Sequence, residues 1–180
     1  MNIMRVRHCA ALALGILVMA TPGFAQGAPK APRGQVASLI VGTWRMAGVE
    51  TRVVDGSGPT TYPRGRTPAG FIIYDAQGRM YVQIMNSDEV RPPRNGAAPM
   101  TEQEQARAYA SYTAYFGHYT VNEDDQSVTH HVEGSVNPRN IGNGMHRFVE
   151  VSQDRLSLNT VARGPDGKER VTLRMWERVR

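Results

Sequence analysis

Cysteine is almost absent: the single one, Cys9, lies in the leading stretch of the 180 residues. That excludes an intramolecular disulfide, a cysteine-ligated metal and a cysteine nucleophile in the remainder. No glycine-rich phosphate loop, nucleophile elbow or paired-acid spacing occurs. Acidic side chains are missing before residue 50, while Arg5 and Arg7 fall within the first 25, so without that stretch the net charge is +3 in place of +5. A charge so mild does not call for a nucleic acid partner. Long apolar runs are also lacking, since Cys9 to Ala20 spans twelve residues against the roughly 20 needed to cross a bilayer. Aromatic residues make up 7%, and no internal repeat is visible.

What is present at the start is an export signal. Arg5 and Arg7 precede the apolar run, and Thr21-Pro22-Gly23-Phe24-Ala25 ends in small residues. This order marks a secretory signal peptide over 1–25, cleaved after Ala25. Cys9 opens the apolar run instead of following it, which argues against a lipid-modified cysteine. The expected destination is periplasmic or secreted, with no integral membrane segment after cleavage. Residues 26–35, QGAPKAPRGQ, carry proline, glycine and charge with nothing large to bury, as a mobile arm would. One domain is expected over 36–180, at a composition of 41% hydrophobic and 21% charged residues.

That domain reads as eight short strands. Thr43–Val54 ends at Asp55-Gly56-Ser57-Gly58, and Gly70–Tyr74 meets Met80–Met85 across a hairpin turn with Gly78 placed for positive φ. Gly117–Val121 and Ser127–Glu133 flank an acidic turn; Met145–Val151 meets Arg155–Thr160; Val171–Val179 closes the chain. Between the third and fourth strands, Thr101 with Glu104 forms a capping box, and Ala106, Tyr109, Tyr112, Thr113 and Phe116 recur at helical spacing. One helix of about four turns is expected there, lying on the barrel or over its mouth. The fold class is all-β, an eight-stranded antiparallel up-and-down barrel with one inserted helix, because closure removes the edges that would template aggregation.

Gly42-Thr43-Trp44-Arg45, Tyr115-Phe116-Gly117-His118-Tyr119, the run from Val128 to Gly134, Asp154-Arg155-Leu156 and Trp176-Glu177-Arg178-Val179 together resemble the bacterial and fungal lipocalin-like domain family. The likeness covers about Leu39 to Val179. It implies a calycin-type barrel with a small-ligand cavity, without implying one reaction or ligand. It also implies structural roles for Gly42 and Trp44 on the first strand and for Arg178, with Arg174 as substitute, packing over that tryptophan to close the barrel's bottom. The short apolar segment Val36–Val41 would fold beneath.

The polar residues of the fifth strand carry the functional question. Side chains alternate faces, so Val128, His130 and Val132 share one face and Thr129, His131 and Glu133 the other. Either set could be the inner one, and His118 falls opposite His130 or His131 according to a one-residue change of register. The site choice rests on the second set inside: His131 and Glu133, with His118, Arg147, Tyr81, Gln83 and Tyr115 from neighbouring strands, orienting a ligand. With the first set inside, the wall is mostly apolar with one histidine.

Three functions compete. The first is binding of a small hydrophobic or amphipathic molecule, since pockets combine apolar walls with a few polar groups. The second is a cofactor-independent isomerase, cyclase or hydrolase using His131 and Glu133 as an acid/base pair. The third is a ligand-free envelope interaction protein. No cofactor is called for. Metal is not expected either, because adjacent His130 and His131 point to opposite faces. Arg64 and Arg66 in one loop and Arg91 and Arg94 in another would form a basic rim if brought together.

Overall fold

A computed structural model describes residues 30–32, 34–86 and 100–180. The signal segment, the first part of the arm, and Arg91 and Arg94 lie outside these. Strand β1 is Gly42–Val53, β2 Ala69–Tyr74, β3 Arg79–Met85, β4 Tyr112–Asn122, β5 Ser127–Ser135, β6 Gly144–Val151, β7 Arg155–Arg163 and β8 Glu169–Arg178. They form one closed barrel in chain order, every neighbour antiparallel, with β8 returning to β1.

Alternation produces the barrel's inside and outside. Met80, Val82 and Ile84 of β3 are buried, whereas Tyr81 and Gln83 between them are exposed. The β2–β3 hairpin turns through Gly78 at φ 82°, and the Asp75 carboxylate accepts from the Gln77 and Arg79 amides at 3.0 and 2.7 Å. Beyond its strands the chain has a short helix α1, Val36–Ile40, a helix α2, Glu102–Ser111, and a single turn at Pro138–Asn140.

The inserted helix is shorter than its sequence periodicity suggests. The capping box of Thr101 and Glu104 forms, but α2 ends at Ser111 and buries no residue. Tyr112 to Phe116 instead pair with Met85 to Tyr81 of β3. Aromatic and threonine side chains suit a pleated surface, and ladder pairing overrides a weak helical preference.

The barrel's two ends differ. At the bottom, Val36 and Ile40 of α1 are buried, as is Trp44. The α1 amides of Val36 and Ala37 donate to the Glu123 carboxylate at 3.1 and 2.7 Å. The Trp44 indole donates to the Ile40 carbonyl at 2.8 Å, and the Arg178 guanidinium lies 4.0 Å over its ring. Arg178 also donates to the carbonyls of Leu39 and Val41, where α1 passes into β1, and to that of Gln153 in the β6–β7 turn. Gly42 sits at φ 142°, and a Cβ there would run into that guanidinium. The arm is not free along its whole length: Ala31 is buried and its carbonyl accepts from the Gln126 amide at 2.6 Å. The other end of the barrel opens into a cavity.

Candidate functional site

The face of β5 that turns inward is the apolar one. Val128, His130 and Val132 are 0, 0 and 3% exposed, while Thr129, His131 and Glu133 lie on the outer wall. The tight turn pairs Asn122 with Ser127, which places His118 opposite His131. A bulge follows, where Gly117 pairs with Val132 and Phe116 with Gly134, leaving Glu133 as the extra residue. At Gly117 the strands approach so closely that a Cβ would strike the His131 carbonyl.

This corrects the choice of inner set. His118, His131, Glu133, Tyr81 and Gln83 stand outside the barrel and do not line its cavity. Outside, they satisfy one another: Glu133 takes both terminal nitrogens of Arg79 at 2.7 and 2.8 Å and Nδ1 of His118 at 3.0 Å. His118 stacks on His131 with ring centres 4.5 Å apart, and His131 meets the Thr120 hydroxyl at 3.0 Å. Gln83 accepts from the Tyr112 hydroxyl at 3.1 Å. Arg79, then His118, holds the Glu133 carboxyl down at about 2. Burying this ionic group would cost far more than burying two valines and one neutral imidazole, and that decides the face.

Tyr115 and Arg147, the other two chosen residues, do line the cavity, which measures about 500 Å³. Its lower walls are apolar: Val49, Ile72, Val82, Ile84, Leu158 and the ring of Trp176. Tyr109 and Ala110 of α2 reach its mouth, as does Arg64, whose guanidinium donates to the Thr113 hydroxyl at 2.6 Å. Arg66 instead lies over the Tyr62 ring.

His130 is the inward histidine. Its Nε2 meets the Tyr74 hydroxyl at 2.6 Å and its Nδ1 the Tyr115 hydroxyl at 3.0 Å. A neutral imidazole has one donor and one acceptor. Tyr74 is enclosed, whereas Tyr115 borders the cavity. The arrangement that strands no proton has Tyr74 donating to Nε2 and Nδ1–H donating to Tyr115, whose own O–H is then free to address the cavity. Burial, followed by the charges of Arg147 and Arg174, pushes His130 down to about 3, and burial raises both tyrosines. The signal for this residue was present in Val128-x-His130-x-Val132, a histidine between two valines on one face.

Two guanidiniums enter from the adjacent wall. Arg147 of β6 donates to its neighbour's carbonyl, that of His146, at 2.8 Å and contacts the Met145 sulfur at 3.5 Å. Arg174 of β8 donates to the Thr160 hydroxyl at 3.2 Å. Burial, then the charge of Arg147, lowers Arg174 to about 10. Among the described residues neither has a carboxylate partner. The indole N–H of Trp176 is buried without a partner there. No group of three His, Cys, Asp or Glu among the described residues is placed to hold a metal ion.

A family model described as "Lipocalin-like domain" matches residues 41–179. Among solved structures, a complex of bovine odorant binding protein with a selenium-containing odorant is similar at 12% identity and a TM-score of 0.38, covering 85% of this chain and 78% of that one. No curated protein matches.

Proposed function

The chain belongs to the lipocalin-like domain family, and from that premise we propose that it binds a small, largely apolar molecule inside its barrel. The observation that carries this is the cavity of about 500 Å³, within the range of small-molecule sites. Val49, Ile72, Val82, Ile84 and Leu158 give it an apolar wall, and Tyr115, Arg147 and Arg174 are among the polar residues that share it. The reading extends to export: Arg5, Arg7, the apolar run and the small residues ending at Ala25 support a protein that works in the periplasm or outside the cell, its mature form beginning at Gln26. No helix among the described residues is long and apolar enough to cross a membrane.

The acid/base alternative loses its interior pair, because His131 and Glu133 face away from the cavity. His130, which does face inward, has both ring nitrogens occupied by tyrosine hydroxyls.

Fluorescence of N-phenylnaphthylamine, an uncharged apolar dye, tests the proposal. Saturable binding is expected in the wild-type chain, and Ile84→Trp, which fills the cavity, is expected to weaken it at least ~10-fold while the barrel still melts cooperatively. No binding by the dye, together with a native mass spectrum free of any retained molecule, would overturn it.

A further inference from the structure

We propose that the ligand is an amphipathic acid, its carboxylate held between Arg147 and Arg174 and its apolar chain lying along Ile72, Val82 and Ile84; this rests on the cavity-binding reading above. Among the described residues, every charged group that lines the cavity is a donor: Arg64, Arg147 and Arg174. Arg147 and Arg174 come from strands flanking β7 and line one cavity. Trp176 lines the same cavity, and its indole N–H is buried with no acceptor among the described residues. The Tyr115 hydroxyl, already accepting from His130 in the arrangement derived above, has its proton to give. Buried donors are normally satisfied, and two guanidiniums cannot shed their charge as a lysine would. The missing partner is therefore an acceptor with negative charge.

The described residues supply none. Among the described residues no carboxylate reaches either guanidinium, and their hydrogen bonds go to neutral groups: a carbonyl, a thioether and a hydroxyl. Two like charges facing one enclosed space repel each other, an arrangement that folding alone does not favour. A carboxylate entering between them would take the planar forks of both arginines, a geometry that matches its two oxygens. Arg64 at the mouth adds a third positive charge on the way in. Val49, Ile72, Val82, Ile84 and Leu158 line the same cavity, so a bare inorganic anion would leave that apolar wall unused, whereas an alkyl chain would cover it.

Displacement of the same dye by decanoate, methyl decanoate and decanol separates the two readings. Decanoate is expected to compete at least ~10-fold more strongly than the two uncharged compounds, as hydrogen bonds to charged groups imply. Arg147→Met and Arg174→Met should each remove most of that advantage while leaving decanol unchanged. The comparison of the three compounds needs no variant and stands if a variant does not fold. Equal competition by all three, with the dye bound, would overturn the acid and leave the apolar-ligand reading intact. Failure of the dye and all three compounds to bind would overturn both.

Discussion

The imidazole of His130 is fully buried between two tyrosine hydroxyls and beside two arginines. Its proton affinity is therefore lower in the folded chain, about 3, than the ordinary value of 6.5. Between these values the unfolded chain binds a proton that the folded one does not, so stability is complete above about pH 6.5 and is lost as pH falls toward about 3. Glu133 acts lower, its contribution present above 4.5 and lost toward about 2. The interval from about 6.5 to 4.5 thus reports His130 ahead of Glu133. Glu150, raised by burial, acts in the opposite sense and is common to wild type and variant. His130→Leu should flatten the dependence in that interval. It should also cost about 2–4 kcal/mol at neutral pH, because two buried hydroxyls lose their partner. Urea denaturation across this range checks both, and an unchanged slope in the variant would remove His130 from the account.

At the scale of elements, β3, β5 and the β2–β3 hairpin were readable because alternation and turn residues are local signals. The boundary of α2 was not, since Tyr109, Tyr112 and Phe116 fit a helical stripe and only pairing with β3 converts the last two to strand. The inner face of β5 was hidden for a related reason. His131 and Glu133 do share a face, as their spacing requires, but which face is decided by other strands: Arg79 and His118 wait outside for Glu133, while Tyr74 and Tyr115 wait inside for His130. Tyr115 and Arg147 of the candidate site are legible in the sequence, whereas Arg174 enters there as a substitute for Arg178 at the barrel's bottom and Trp176 as part of the family likeness. His131→Ala should accordingly leave dye affinity per folded molecule unchanged, since among the described residues its side chain meets Thr120 and the His118 ring on the outer wall. Weakened binding in a cooperatively folded variant would return that residue to the site.

For the whole molecule, the same strand serves opposite purposes at its end and at its middle. Arg178 closes the bottom with three backbone carbonyls and the Trp44 ring as partners, so Arg178→Met should cost about 2–4 kcal/mol by leaving the half-buried carbonyls of Leu39 and Val41 unpaired and the Trp44 ring uncovered. Arg174, four residues earlier, faces the cavity, donating among the described residues to a hydroxyl and with Arg147 as a like charge. Arg174→Met should therefore stabilise the ligand-free barrel, by about 1–2 kcal/mol, because replacing a half-buried charge that has no carboxylate partner among the described residues with an apolar side chain removes both desolvation and repulsion. The two sites are about 13 Å apart along the strand, from the rise of roughly 3.3 Å per residue, and they share no partner. Their effects should add to within about 0.5 kcal/mol in the double variant. Chemical denaturation of the two single variants and the double one measures all three quantities. Loss of stability in Arg174→Met would mean that this guanidinium serves the fold and is not held ready for a ligand.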